Sequence, residues 1–252
     1  MKELIDAGAI GQVKAAWCRH FVSPGGDFYF KDWHAERQYS TGLLLQKAAH
    51  DIDVIHWLCG SYSELVNAMG DLTLYDQITD RHGPSDARRL SADVNNWPPL
   101  TQTGLNPIID VEDLSMMQMR LKNGILACYQ QCHYAPDYWR NYTFIGTEGR
   151  IENAGDTQEN AVIRLWNKRT DYNREGDEVF AVPPGLGGHG GADTQIVAEF
   201  LRYVREGGEI NTSPLAARYS VAAGCAATES LRRGGIPVQV PDVNPELAAY
   251  FV

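Results

Sequence analysis

This sequence has no run of about 18 apolar residues, the length a helix needs to cross a bilayer, and no basic segment followed by an apolar stretch at its start. Membrane insertion and export are therefore not expected, and the chain is read as cytoplasmic. Basic side chains are in deficit: 22 Lys and Arg stand against 32 Asp and Glu, a formal net charge of −10. Nucleic acid and anionic membranes need a basic surface, so neither is an expected partner. The five cysteines (Cys18, Cys59, Cys128, Cys132, Cys225) are irregularly spaced. They form neither a disulfide framework nor a zinc-ligand pattern, and all five are read as reduced core residues, Cys128 and Cys132 sharing one strand face. There is no internal repeat and no low-complexity tract. What is present is ordinary for a globular chain, 44% hydrophobic and 21% charged, and 252 residues can bury one good core or two small ones.

Residues 40–60 carry the most information. They read as one helix, with Ser40 or Thr41 as its cap and Gly60 as its left-handed C-terminal residue. Leu44, Leu45, Ala48, Ile52 and Ile55 recur with the period of a buried helical face. Gln46, His50, Asp53 and Trp57 fall at i, i+4, i+7 and i+11 and form a second, polar stripe. A histidine with a carboxylate one turn away is a usable acid–base pair, because the imidazole titrates near neutral pH and the carboxylate steadies its protonated form. The same spacing also describes a solvated helix face or a local capping contact. Lys47 likewise reads either as a solvated lysine or as a charge placed beside Gln46.

Along the chain, Met1–Ala7 reads as the end of a helix closed by Gly8, and Gln12–Val22 as a strand with Val13, Ala15, Trp17, Arg19 and Phe21 on one side. Gly25–Gln38 is a loop rich in aromatic and charged residues, and Glu64–Tyr75 is a second strand. Residues 77–107 show no periodicity and are expected to be a long surface insertion. Val111–Tyr134 is a hairpin turning at Asn123-Gly124. Strands are expected at Tyr142–Thr147, Arg150–Glu152, Val162–Trp166, Glu178–Val182 and Ile236–Val240, and helices at Ala192–Arg205 and Pro214–Arg232, the latter capped by Ser213 with Pro214 at its first position. Strands in the middle and helices towards the ends imply an α+β, two-layer domain: an open, mainly antiparallel or mixed sheet with helices on one face. The open face is expected to carry Met117, Met119, Tyr129 and Gln131 and to be covered by a second copy of the chain.

Two glycine runs imitate a dinucleotide fingerprint. Gly185-Leu186-Gly187-Gly188-His189-Gly190 matches G-x-G-x-x-G, but that turn belongs inside a sheet of parallel strands, and only one short strand remains downstream. In Ala7-Gly8-Ala9-Ile10-Gly11, Asp6 stands where the first glycine belongs, and a strand follows where a helix should. Neither run is expected to build a nucleotide fold. The first is read as a flexible loop that leaves His189 free to line a cleft. His20, His56 and His133 are assigned to structure.

The pattern Thr41-Gly42-x-Leu44-Leu45-Gln46-x3-His50-Asp51-x-Asp53-x3-Trp57-Leu58-x-Gly60 resembles the active-site helix of the glucose–fructose oxidoreductase/inositol dehydrogenase (Gfo/Idh/MocA) family. So do Leu4–Val13, Tyr142–Glu152, Gly188–Asp193 and the closing run at 230–238, and the resemblance extends over nearly the whole chain. It implies that residues 1–252 form the family's C-terminal substrate-binding and oligomerisation domain. Nothing here corresponds to the N-terminal Rossmann domain or its Glu-Lys-Pro motif. It implies hydride transfer between NAD or NADP and a sugar, cyclitol or related polyol, with no cofactor expected to bind this chain alone, and a homodimer or tetramer assembled through the sheet face. His50 would match the family's acid–base residue and Asp53 a carboxylate that binds a substrate hydroxyl, while Tyr134 and Arg140 fall where the family places substrate contacts. The family's catalytic aspartate is replaced by Gln46, with Lys47 beside it. Two other functions fit the same residues: a non-catalytic sugar-binding or dimerisation module, and a metal-dependent lyase or isomerase using His50, Asp53 and His189.

Overall fold

Alternation along the first strand sets the plan of the molecule. In a computed structural model, which describes residues 1–83, 92–156, 158–183, 185, 187–210 and 212–250, helix α1 (Lys2–Asp6) turns through Gly8 into β1 (Val13–Phe21). Ala16, Cys18 and His20 of β1 are buried, and the intervening residues are at least partly open. Three short helices follow, α2 (Gly25–Phe28), α3 (Arg37–Ser40) and α4 (Leu43–Gln46), and then α5 (Ala48–Cys59), which Gly60 closes at φ 62° and ψ 29°. The chain continues through β2 (Ser63–Asp71), β3 (Leu114–Leu121), β4 (Leu126–Cys132), β5 (Trp139–Gly146), β6 (Arg150–Ala154), β7 (Val162–Trp166) and β8 (Glu178–Ala181). Helices α6 (Ala192–Glu206) and α7 (Pro214–Arg232), strand β9 (Val238–Gln239) and helix α8 (Pro245–Tyr250) complete it.

The nine strands form one open sheet in the order β8-β7-β6-β5-β1-β4-β3-β2-β9. Every pairing is antiparallel except that of β1 with β4, so the sheet is mixed, and the fold is the expected α+β type. The hairpin between β3 and β4 turns at Asn123-Gly124, where Gly124 takes φ +83°.

Helix α5 lies over β1 and β4, and α7 lies over β2 and against α4 and α5. The buried seam of α7 is made of small residues, Ala223, Gly224, Ala226, Ala227 and Ser230. A Cβ at Gly224 would sit 2.5 Å from the Leu44 carbonyl oxygen, so only glycine lets these two backbones approach so closely. Ile52, Ile55, Met117, Tyr129, Phe144 and Ala227 belong to the main core. A second, smaller core joins Phe30, Ala35, Leu43, Tyr75, Ile78, Leu105 and Val111.

Several expectations are corrected. Residues 40–60 are not one helix. Ser40 ends α3, its hydroxyl donating to the His34 and Glu36 carbonyls, and the helical path is interrupted at Lys47 between α4 and α5. Met117, Met119, Tyr129 and Gln131 are buried beneath the helices, and the open face carries Met116, Gln118, Arg120 and Leu126 instead. Alternation yields two faces without saying which one is covered; here the more apolar set lies under the helices. The insertion is not wholly on the surface, since Ile78 and Leu105 are buried. Its residues 84–91, Leu186 within the Gly185–Gly190 run and Pro184 just before it lie outside the described residues. Cys18 and Cys59 are buried, Cys128 and Cys132 partly so, and Cys225 is exposed; all five are free. No described helix is long and apolar enough to cross a membrane.

Candidate functional site

Asp51, in the first turn of α5, stands between Ala48 and Ile55 on the stripe that faces the sheet. A carboxylate in that position must be paired, because an isolated buried charge is very costly. Its partners come from the strand ends beneath it. Register places His20 of β1 opposite Arg140 of β5 and Cys18 opposite Tyr142, so His20, Arg140 and Tyr142 converge on the helix. His20 Nδ1 lies 2.8 Å from Asp51 Oδ2, and the Tyr142 hydroxyl donates to Oδ1. Arg140 Nε is 3.3 Å from Oδ1, an ion pair out of line for a hydrogen bond.

Burial would push the Asp51 carboxyl upward, but the His20 hydrogen bond, the Arg140 charge and the Tyr142 hydroxyl outweigh it and hold its pKa below the ordinary value. Burial lowers the His20 pKa despite the Asp51 hydrogen bond, so the ring is neutral and its Nδ1–H donates. This assigns the proton to the nitrogen that faces an acceptor-only carboxylate.

Lys47 stands at the break between α4 and α5, with its Nζ 5.9 Å from the centroid of the Tyr29 ring. Burial and the nearby Arg140 charge lower its pKa, with Asp51 and Asp156 opposing. His50 is at the exposed rim of the same cluster. Its pKa is lowered by burial and by Lys47, with Asp51 and Asp53 acting the other way. Gln46 is half-buried, and its Oε1 has no hydrogen-bond partner. Lys47, His50, Asp51 and Arg140 thus share one electrostatic neighbourhood. Protonatable groups with lowered pKa values, next to a fixed guanidinium, are suited to taking and returning a hydroxyl proton.

Of the other expected residues, Asp53 is within electrostatic reach of His50 but faces another way, and Tyr134 and His189 lie apart from the cluster. Asp53 lines a cavity of about 810 Å³ with Val54, Trp57, Tyr62 and Lys122. Tyr134 accepts a hydrogen bond from the Thr73 hydroxyl at 3.1 Å and packs beside the smaller core. His189 is exposed and pairs with Asp193 at 2.9 Å. Among the described residues no three His, Cys, Asp or Glu side chains come together as a metal site. Residue spacing alone had passed over Asp51. The available signal was its place on an otherwise apolar helical stripe, where a carboxylate implies buried partners.

The model of the oxidoreductase family C-terminal alpha/beta domain, GFO_IDH_MocA_C, matches residues 2–240. The chain belongs to this family. It is 25% identical over 266 residues to YteT of Bacillus subtilis (strain 168), a protein described as an oxidoreductase, covering 90% of this chain and 60% of that one. Levoglucosan dehydrogenase in complex with NADH and L-sorbose superposes with a TM-score of 0.69 at 21% identity, covering 95% of this chain and 62% of the other. Its complex with NADH and levoglucosan gives 0.68 at 20% identity, covering 96% and 63%. At such identities the likeness to the solved structures is one of fold. The chain spans about three-fifths of the length of these relatives.

Within this Gfo/Idh/MocA C-terminal domain, neither glycine run stands where a parallel strand feeds a helix. The run from Gly185 follows β8, an antiparallel strand at the sheet edge, and the run at 7–11 leads into a strand. A pyrophosphate turn needs a parallel strand feeding a helix N-terminus.

Proposed function

We propose that this chain is the substrate-binding part of an NAD(P)-dependent oxidoreductase acting on a sugar, cyclitol or related polyol. The observation that carries the reading is the cluster of Lys47, His50 and Arg140 around the buried Asp51, in a chain of this family. The dinucleotide supplies hydride chemistry from outside these residues. The chain itself binds the polyol and moves its proton: His50 accepts the hydroxyl proton, and Lys47 holds the same oxygen in place of the carboxylate that Gln46 has replaced. Asp51, through Arg140, fixes the floor of the site. Asp53 anchors a second hydroxyl from the cavity side. The open sheet face, with Met116 and Leu126 exposed, pairs two copies of the chain; a clean monomer at micromolar concentration in sedimentation would remove that part.

The test is kinetic, with the chain joined to a nucleotide-binding domain. His50→Ala lowers kcat by roughly 10²–10⁴, the usual size of a general acid–base contribution. Unchanged kcat in that variant would withdraw the assignment and leave a binding module without chemistry.

A further inference from the structure

The Arg140 side chain is about three-quarters buried, at 24% exposure, yet none of its guanidinium nitrogens donates a hydrogen bond among the described residues. Its single charged contact, Asp51 Oδ1, is off the line of Nε–H, and both Asp51 oxygens are already engaged by Tyr142 and His20. Lys47 is in a similar position. Its ammonium faces the Tyr29 ring with no hydrogen-bond or ion-pair partner among the described residues. Asp156 is engaged elsewhere, accepting from the Tyr138 hydroxyl at 3.2 Å. Two cations are therefore gathered against one carboxylate whose two oxygens each already accept a hydrogen bond, with Asp156 as the other nearby negative charge. A guanidinium left with open donors in a partly dry site lacks an acceptor, and its planar fork matches a carboxylate.

Resting on the sugar reading above, we infer that the substrate is an acidic sugar, a uronate or aldonate, whose carboxylate is held between Arg140 and Lys47. A neutral polyol would leave the open donors of both cations without a charged acceptor in the complex. An acidic one completes them and places its ring hydroxyls towards His50. The contribution of Lys47 also has a pH signature. Binding an anion raises the lysine pKa, so affinity is complete below the free-site pKa and declines as pH rises from there to the bound-site value. The other titratable groups facing these two cations are Cys18 and His20 of β1, Tyr29, His50 and Asp51 of α5, His133, Tyr138, Tyr142 of β5 and Asp156 after β6.

Binding to the 252-residue chain tests this, read by saturation-transfer NMR and calorimetry with D-galacturonate, methyl galactoside, galactose 6-phosphate and malonate as probes. Galacturonate should bind at least about tenfold more tightly than the neutral galactoside, the size expected of one charge-assisted contact. Lys47→Met should weaken galacturonate binding several-fold more than galactoside binding and so remove most of that difference, and Arg140→Lys, which keeps the charge and loses the fork, should weaken galacturonate while the melting temperature is held. Equal binding of galacturonate and galactoside, unaffected by Lys47→Met, overturns the acidic substrate and leaves the sugar site standing. Tighter binding of the sugar phosphate than of galacturonate overturns the carboxylate. Malonate binding that depends on Lys47, with no sugar bound at all, retains the anion site and removes the sugar reading. Binding of no anion overturns the inference outright.

Discussion

Asp51 and Asp53 are two residues apart in α5 and live in opposite surroundings. Positions i and i+2 of a helix point to different sides. Asp51 turns towards the strand ends and meets His20, Tyr142 and Arg140, which together hold its pKa down. Asp53 turns towards an open cavity. Burial raises its pKa, only His50 opposes the shift, and its Oδ1 has no partner. The lesson concerns charge in a core: the helix sets the direction of a carboxylate, and the elements it faces decide whether it is a structural anion or an available one.

The largest effect is expected from removing the engaged carboxylate. Asp51→Ala leaves Arg140 without its counter-charge and the His20 Nδ1–H without its acceptor, and should cost about 3–5 kcal/mol, the usual penalty for breaking a buried pair. Denaturant unfolding reads this directly; a loss below about 1 kcal/mol would mean that water replaces the carboxylate. Acid should act in the same sense. Because the folded pKa of Asp51 is depressed, its contribution is complete above the unfolded value of about 3.9 and disappears as pH falls through the lower folded value.

A somewhat smaller effect is expected at His56, which lines the same cavity as Asp53 yet is 1% exposed. Its Nε2 accepts the Ser63 N–H at 3.1 Å and lies 2.8 Å from the Ser63 hydroxyl, so the nitrogen must stay unprotonated. Burial takes its pKa down to about 4. The unfolded chain then binds the proton more readily between about pH 6.5 and 4, and stability falls across that window as pH falls, by up to about 3 kcal/mol. His56→Gln keeps an acceptor and does not titrate, so it should flatten that part of the profile. An unchanged slope would place the acid sensitivity in other groups.

The smallest expected effect is at the available carboxylate. Asp53→Asn removes a charge that burial disfavours and breaks no ion pair. Its stability change at neutral pH should stay within about 1 kcal/mol, of either sign. In the enzyme joined to a nucleotide-binding domain, its effect belongs in KM rather than kcat, as lost ground-state binding does. A loss as large as that of Asp51→Ala would erase the distinction between the two residues.

Much of this was legible from residues alone. The Asn123-Gly124 turn, the limits of α7 with Ser213 accepting from the Leu215 N–H, and the left-handed Gly60 all follow from local backbone preference, which short segments carry by themselves. The position of Lys47, His50 and Arg140 was legible as a list, through resemblance, but not as an arrangement. Asp51 was passed over because its meaning depends on His20 and Tyr142, 31 and 91 positions away. The exposed apolar residues of α6, among them Ile196, Phe200 and Val204, make the same point in reverse. An amphipathic pattern as clear as that of α7 does not state what covers it.

Most of the strands, helices α6 and α7, the α+β class and the family are written in residue order, because each rests on short-range sterics, periodicity or local motifs. Which face of the sheet lies under α5 and α7, where the helix breaks at Lys47, and which of two neighbouring aspartates is locked into a buried charge network are properties of the folded molecule. Those outcomes depend on which strand ends meet which helix face. Burial and pairing energies between distant residues settle that, and no local stretch of chain encodes it.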